Sequence, residues 1–536
     1  MEIIEFLKSL IGKQQEDEVY QLEDLDLSER EEYVNQMKME ADFQKNIDHI
    51  KGLLGSSLDL SIRETKIGVT KTECAIFFMD GVTDEQAIEE ILEKLQINLL
   101  EIQQLTVEGS LSLDLIDRVL NNKDLSFTDQ IAEILKQLAL GSTIIVVTGL
   151  KEAIICDTTK FETRDIQEPE AEITLRGSRD GFVETLSTNV ALLRHRIRVP
   201  HLWIENNELG SLSKTKVALA YIKGLVNEEL ITEVKSRLEE MDTDAVLESG
   251  YIEESIMDEM TIFPLVKRTE RPDIVVSYLL EGKVAILTEG TPFCLLLPVD
   301  FHALLQAPDD YYEIFPVGSL IRALRYFAYF ISVLLPGFYV AILNYHPELI
   351  PVELLMRVTS TRDGIPFPLT VEALLMEVIF EILREAGLRL PQAIGPAISI
   401  VGALILGEAA IGAGLASPPM VVVVALTAIS SFTTPDFSFS ITARILRFVF
   451  LILGGASGLF GLQFGILITI VHLAALRSFG QPYFKPFAPL IWQDLKDSIV
   501  RLPRWFNQTR PQTTAKRELQ RKEKGQQSQP PNRGGN

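Results

Sequence analysis

Cysteine is scarce in this chain of 536 residues: it occurs three times, as Cys74, Cys156 and Cys294, at wide spacing and with no histidine cluster nearby. This pattern matches neither a disulfide framework nor a zinc site, so we expect reduced thiols in the core. The sequence also lacks the G-x-S-x-G, H-E-x-x-H, C-x-x-C and dinucleotide-binding motifs of common enzyme classes. It therefore predicts a protein that is not an enzyme and that holds no metal or cofactor.

Positive charge is in deficit, with 50 Lys and Arg against 74 Asp and Glu and a net charge of −24. The first forty residues hold twelve acidic and four basic side chains, whereas 501–536 hold nine basic and two acidic ones. The tail has no hydrophobic periodicity, so we expect it to be disordered. Basic residues beside an apolar region are explained more simply by anionic lipid than by nucleic acid, and we expect no nucleic-acid partner.

Apolar residues are concentrated between about 320 and 480, which explains a mean hydropathy of +0.17 in a chain with 23% charged residues. A membrane span needs about 20 mainly apolar residues. The stretch 445–476 is too long for one span, and its glycine-rich middle predicts two helices that turn near 457–462. The other candidate spans are 326–345, 394–412 and 418–433. No cleavable signal peptide is evident, so we expect the N-terminal half to be cytoplasmic.

The segment 366–385 is also apolar, but it carries Glu377, Glu381 and Arg384 at helical spacing on one face. Such a helix could line a polar pathway, pack inside a bundle or lie flat at the membrane surface. If it crosses, most basic residues flanking the spans fall on one side, which gives six crossings and places both termini in the cytoplasm. Four crossings with additional surface helices are the alternative.

The region before the apolar stretch alternates helical and strand patterns, which is typical of α/β layers. "CAIFFMDGVTDEQAIEEILEKL" predicts a strand at 74–79, a turn and a helix, and 283–288 and 292–298 predict a hairpin joined at Glu289-Gly290. We therefore expect a cytoplasmic α/β region of two subdomains followed by an all-α polytopic membrane domain. The predicted organisation is an acidic variable leader (1–40), α/β subdomains (41–160 and 161–270), a hairpin and connector (271–316), a transmembrane domain of four to six spans (317–480), a membrane-proximal segment (481–500) and the basic tail (501–536).

A glycine-rich loop precedes a predicted helix in the second subdomain. It could cradle an anion at the helix N-terminus, but it lacks the spacing of a phosphate-binding loop. A structural loop or a cytoplasmic docking or oligomer surface is the preferred interpretation. Its residues are Arg176, Gly177, Arg179, Asp180 and Gly181.

Several blocks of sequence resemble the A subunits of the spore germinant receptors, the GerA-type family: "RGSRDGFVETLSTNVALLRHRIR", "RPDIVVSYLLEGKVAILTEGTPF", "QAPDDYYE", "GPAISIVGALILGEAA" and "LRSFGQPYFKPFAPL". The resemblance runs from about 45 to 500. It implies a multi-pass subunit of a nutrient sensor in the inner membrane of bacterial spores, with a transporter-like B subunit and a C-subunit lipoprotein as partners. It also implies a ring, a pentamer, that acts as a nutrient-gated cation channel. A related spore-membrane A-type paralogue is an alternative, although its hairpin and "DDYY" region differ more.

In a channel, one helix of each subunit lines the axis, and "IGPAISIVGALILGEAAIGAG" at 394–414 is the candidate. One stripe of side chains along this helix would form an apolar constriction beside a ring of carboxylates. A ring of carboxylates favours cations. Alternatively, the stripe is ordinary core and Glu408 pairs with an arginine or lies at the headgroup level. A secondary transporter and a non-conducting scaffold remain alternatives, although no inverted repeat is clear. The candidate pore-lining residues are Ile394, Ile398, Val401, Ile405 and Glu408.

Overall fold

The computed structural model of the chain forms two compact units. It describes residues 26–55, 57–67, 72–97, 125–160, 169, 172, 174, 176–389, 407–503, 506 and 509–511. The N-terminal unit comprises Met1–Met257, Arg268–Pro298 and Arg504–Asn536, and the helical unit comprises Asp258–Lys267 and Val299–Pro503.

The N-terminal unit contains two five-stranded sheets. The elements of the first half are α1 (Leu27–Gln36), α2 (Phe43–Leu53), β1 (Leu60–Ile67), β2 (Thr72–Met79), α3 (Glu85–Ile97), β3 (Leu125–Thr128), α4 (Ile131–Leu140), β4 (Thr143–Val147) and β5 (Ala153–Cys156). The elements of the second half are α5 (Leu186–Arg196), β6 (Leu202–Leu209), β7 (Thr215–Ile222), α6 (Glu228–Glu239), α7 (Ser249–Ile256), β8 (Lys267–Thr269), α8 (Pro272–Leu279), β9 (Val284–Thr288) and β10 (Cys294–Leu297). The strand order is β1-β2-β4-β5-β3 in the first sheet and β6-β7-β9-β10-β8 in the second. The α/β character and the predicted hairpin, β9 and β10, are confirmed.

The two sheets repeat one plan, which the sequence reading did not detect. In each half, two antiparallel strands of eight residues precede a helix, and an antiparallel pair of five and four residues follows, with the remaining short strand at the edge of the sheet. Gly81 and Gly224 occupy the same place after the second strand, with φ of 82° and 84°, a left-handed conformation that favours glycine. The Asp84 and Asn227 side chains then accept backbone hydrogen bonds at the start of the following helix.

Both faces of the first sheet are buried, because alternate residues of β2 belong to different hydrophobic clusters. Phe77 and its neighbours at period two pack on one side, and Cys74 and Ile76 pack on the other with Cys156. All three cysteines are buried and unpaired, as expected. Burial raises the pKa of the Cys74 and Cys156 thiols to about 12, so these groups are unreactive at neutral pH.

A buried ion pair joins the two halves of the N-terminal unit. Arg194 on α5 donates to both carboxylate oxygens of Asp59, which precedes β1, at 2.7 and 3.0 Å, and both side chains are buried. Ser57 adds two hydrogen bonds to the backbone of Ile204 on β6. The halves therefore share polar contacts as well as a chain, which resists their separation.

His201, just before β6, is buried, and its Nε2 lies 3.9 Å from Glu31 Oε1. Its ring lies near Arg30, whose guanidinium is 5.0 Å from the centroid of the Trp203 ring, and Lys223 Nζ lies 5.2 Å from the same centroid. Burial, with a further contribution from the charge of Arg30, lowers the pKa of His201 to about 4. The neutral imidazole is therefore the form that the folded unit accommodates.

We expect the free energy of unfolding of the N-terminal unit to fall as the pH is lowered from about 6.5 to about 4. The unfolded chain binds a proton at His201 within this interval and the folded chain does not, so the folded state loses on the order of 3 kcal/mol. Urea unfolding of the full chain in detergent, followed by Trp203 fluorescence with the other two tryptophans, Trp492 and Trp505, replaced by Phe, measures this.

The control separates His201 from other acid effects. His201→Leu is expected to flatten the dependence below pH 6.5, whereas His195→Gln, at a less buried site with a smaller lowering of its pKa, should leave most of it. An unchanged slope in His201→Leu would show that another group is responsible.

The described helices of the helical unit range from 4 to 39 residues in length. These are α9 (Asp309–Tyr312), α10 (Phe315–Tyr345), α11 (Val352–Ser360), α12 (Leu369–Arg389), α13 (407–412), α14 (Pro418–Ser431) and α15 (Phe437–Ala475). Within the described ranges, α10 and α15 are long and apolar enough to cross a membrane, by length and composition alone. The predicted span 326–345 begins earlier, at Phe315, and α14 has only 14 residues. Most of 394–412 lies outside the described residues.

The predicted turn near 457–462 is confirmed by a break in α15 at Gly458, where φ is 62° and ψ is −145°. After this break the chain folds back, since Gly465 packs against the side chains of Leu453 and Phe450. Hydrogen bonds near the two ends agree: Thr442 donates to the carbonyl of Ile262, and His472 lies 3.2 Å from the hydroxyl of Thr261. α15 is therefore a helical hairpin.

α10 packs closely against the first arm of this hairpin. A Cβ at Gly337 would lie 2.5 Å from the carbonyl oxygen of Phe450, and one at Gly454 would meet the carbonyl of Gly337. The two helix backbones approach each other at these glycines, as in membrane helix pairs with small interfacial residues. This contact fixes the arm of α15 that carries the arginines described next.

Candidate functional site

Glu377 on α12 forms an ion pair with Arg447 on α15. Arg447 Nη1 lies 2.9 Å from Glu377 Oε2, and both side chains are fully buried. Arg447 Nε donates to the carbonyl of Ser332 on α10 at 2.8 Å. The pair therefore joins α12, α15 and α10.

Glu381, one turn further along α12, is the point where three arginines meet. Its Oε1 lies 3.6 Å from Arg384 Nη1 and 3.7 Å from Arg447 Nη1, and its Oε2 lies 3.4 Å from Arg444 Nη1. This geometry stabilises the negative charge of Glu381 from α12 and from α15 together. We call Glu377, Glu381, Arg384, Arg444 and Arg447 the arginine–glutamate network.

Arg384 also contacts the C-terminal end of α14 and the residue that follows it. Its Nη2 donates to Ser431 Oγ at 2.7 Å, and its guanidinium lies 5.0 and 5.2 Å from the ring centroids of Phe380 and Phe432. Glu377, Glu381 and Arg384 thus share a helical face, as the spacing predicts, and this face packs inside the bundle. Whether it borders a polar pathway stays a prediction.

The helical spacing of these residues identifies neither the partners of this face nor a further buried carboxylate, Glu372. Glu372 accepts from the backbone N–H and the hydroxyl of Ser417 at 2.7 and 2.6 Å and pairs with Arg362 at 3.3 Å. Arg362 lies in the turn between α11 and α12. A buried carboxylate requires a cation partner, and that requirement was the available signal.

The "DDYY" motif forms another buried group of charges at the start of α10. Asp310 accepts from Arg322 Nε at 3.0 Å and from Arg325 Nη1 and Nη2 at 2.9 and 3.0 Å, with both of its oxygens in use. Arg322 also pairs with Asp497 at 2.8 Å. The motif therefore ties the beginning of α10 to the segment near 497.

The candidate pore-lining stripe is described at one position. Ile394, Ile398, Val401 and Ile405 lie outside the described residues. Glu408, on α13, has an exposed side chain and forms no ion pair with any described residue. It thus contrasts with Glu377 and Glu381, which are paired within the chain.

The predicted docking loop is anchored at its middle. Arg196 Nη2 donates to Ser178 Oγ and to Asp180 Oδ2, both at 2.6 Å, and Arg271 Nη2 donates to the carbonyl of Ser178 at 3.0 Å. Arg176 and Arg179 are exposed, Gly177 has φ of 123° and Gly181 is buried. A docking or oligomer role for this loop stays a prediction.

No group of three or more His, Cys, Asp or Glu side chains in the described ranges could hold a metal ion. The charged groups of the helical unit described above are instead arranged as ion pairs, several of them between helices. Such an arrangement can fix helix positions or bind a charged group.

Comparison with known proteins identifies the family to which the chain belongs. Residues 48–513 match the family described as "Bacillus/Clostridium GerA spore germination protein". Spore germination protein KA of Bacillus subtilis is 44% identical over 489 residues, covering 91% of this chain and 89% of that protein. Spore germination protein GerLA of Bacillus cereus is 36% identical over 477 residues, covering 89% and 96%.

A solved structure is also similar to part of the chain. It is the N-terminal domain of the A subunit of the Bacillus megaterium spore germinant receptor GerK3, with 33% identity and a TM-score of 0.40, covering 49% of this chain and 98% of that one. The family match spans most of the sequence and includes both units. This chain belongs to the GerA family of spore germination proteins.

Proposed function

We propose that this chain is the membrane subunit of a spore nutrient-germinant receptor and that several copies form a nutrient-gated cation channel. The receptor role is supported by the family match and by relatives that are themselves named spore germination proteins. The helical unit supports a membrane location through α10 and the α15 hairpin, whose apolar side chains are widely exposed.

The observation that carries the channel proposal is the state of Glu408. The acidic residues of α12 at 377 and 381 are neutralised by arginines of the same chain. Glu408 is exposed and without an ion pair among the described residues, beside the glycine-rich apolar segment that precedes it. If the Glu408 side chain of each copy faces a shared axis, the carboxylates of an oligomer form a ring, and such rings favour cations.

The complete receptor would also contain the partners that the family resemblance implies. These are a transporter-like B subunit, a C-subunit lipoprotein and membrane lipid, in the inner membrane of the spore with both termini cytoplasmic. We propose a homo-oligomeric ring, for which a pentamer is the expected number. Mass measurement in a gentle detergent, with and without the partners, tests this.

A secondary transporter and a non-conducting scaffold are separated from a channel by reconstitution. The full chain with its partners is placed in a planar bilayer, and nutrient is added. Stepwise conductance supports the channel, saturable solute uptake in liposomes supports a transporter, and intact oligomers without either activity support the scaffold.

In the conducting preparation, Glu408→Gln is expected to reduce the cation-over-anion permeability ratio several-fold, because the ring loses its charge. Reversal potentials in asymmetric salt measure this ratio. Glu385→Gln is the matched control, since Glu385 is exposed on α12 and pairs with Arg389 on the surface. An unchanged ratio in Glu408→Gln would remove Glu408 from the conduction pathway.

A further inference from the structure

The arginine–glutamate network contains more positive than negative charge. Its three arginines face two carboxylates. The segment 390–406, which follows α12, contains no Asp or Glu and cannot supply the missing charge. A positive charge without a counter-charge is costly in apolar surroundings, so the network has room for one anion in its charge balance.

Hydrogen-bond donors without a partner in the described part of the chain also indicate a bound anion. Arg447 Nη2 is buried on a fully buried side chain and donates to no described residue, and the same holds for the buried Nε atoms of Arg384 and Arg444. All three guanidinium groups lie within 3.7 Å of Glu381. In the same network the carboxylate oxygens Glu377 Oε1 and Glu381 Oε1 are also buried without a hydrogen-bond partner among the described residues, so three donors stand against two acceptors. Buried donors of this kind normally have a partner, and the donor in excess indicates a bound acceptor.

The three arginines differ in access. Arg447 is fully buried, whereas the side chains of Arg384 and Arg444 are 9% and 17% exposed. The guanidinium of Arg384 is also held in place by Phe380 and Phe432. The network therefore has an inner end at Arg447 and a rim at Arg384 and Arg444, whose side chains are partly exposed although their Nε atoms are buried.

We propose that Arg384 and Arg444 bind the phosphate of an anionic group at this rim, with Arg447 adding positive charge from inside. Guanidinium groups present planar donors that match phosphate oxygens. Basic pockets between membrane helices take phospholipid head groups, and inorganic phosphate offers the same chemistry. The inference rests on the proposed membrane location of the helical unit.

The test uses the full chain in nanodiscs of phosphatidylglycerol with phosphatidylcholine and in discs of phosphatidylcholine alone. Lipid that remains bound after transfer to detergent is counted by native mass spectrometry, and the thermal midpoint is recorded in each disc. We expect retained phosphatidylglycerol and a higher midpoint with it. Arg384→Gln with Arg444→Gln is expected to lower retention about 10-fold, equivalent to about 1.4 kcal/mol.

Two further variants distinguish binding from a purely structural role. Arg389→Gln removes a cation from the same helix, but its side chain is 80% exposed and pairs with Glu385, so retention should match the wild type. Glu381→Gln removes a carboxylate that competes for the arginines and should increase retention. If the double glutamine variant does not fold, Arg444→Lys, which keeps charge but loses the planar fork, should retain an intermediate amount. Loss of retention in Glu381→Gln would contradict the proposal.

A further experiment distinguishes a phospholipid from inorganic phosphate as the ligand. If inorganic phosphate raises the midpoint in phosphatidylcholine discs as much as phosphatidylglycerol does, and this shift requires Arg384 and Arg444, the site takes soluble phosphate. If neither source gives a shift that depends on these arginines, the donors are satisfied by water and the inference is wrong. A chain that does not enter discs would instead overturn the membrane proposal, so the two failures are distinguishable.

Discussion

Arg447→Met is expected to lower the free energy of unfolding of the helical unit by about 3–5 kcal/mol. The substitution removes the partner of Glu377, whose side chain is fully buried, and leaves its charge without compensation. It also removes the donor to the carbonyl of Ser332. Thermal unfolding of the full chain in detergent, with the folded fraction followed by circular dichroism, measures the loss.

The double variant Glu377→Met with Arg447→Met identifies the cause. Replacing a buried ion pair by apolar side chains is often neutral, so the double variant should recover most of the stability. Arg389→Met is the surface control, because the Arg389–Glu385 pair has a separation of 2.8 Å on an exposed face and should contribute less than about 1 kcal/mol. If the double variant is as unstable as Arg447→Met, shape rather than charge is the cause.

Local patterns in the sequence were sufficient for the elements that depend on near neighbours. The strand at 74–79, the hairpin of β9 and β10 and the turn of α15 at Gly458 each follow from residues a few positions apart. Turn glycines and alternating apolar residues encode such features directly. These predictions therefore agree with the structure.

Features that depend on distant residues were not predictable in the same way. Glu377 and Arg447 are 70 positions apart, and the helical spacing of Glu377, Glu381 and Arg384 identifies a polar face without naming its partners. The repeat of the two sheets was missed for another reason. It is carried by strand lengths and by a few positions such as Gly81 and Gly224, whereas most side chains differ because each half packs its own core.

Asp310→Asn is expected to destabilise the helical unit by about 3–5 kcal/mol. Asp310 is buried and accepts three hydrogen bonds from Arg322 and Arg325, so the amide removes the charge that both guanidinium groups share and presents an N–H₂ group to donors. Arg322 keeps Asp497 and Arg325 keeps the carbonyl of Leu305, so the loss is large without being complete.

The preceding residue supplies the control for this change. Asp309→Asn alters the same motif by the same atoms, but Asp309 is only partly buried and takes part in none of these ion pairs, so less than about 1 kcal/mol is expected. The thermal midpoints of both variants are measured in the same detergent. Equal midpoints would show that the charge of Asp310 does not stabilise the helical unit. A clear difference would assign the stabilisation to the second acidic position of the motif, because that carboxylate is the one that pairs with both Arg322 and Arg325.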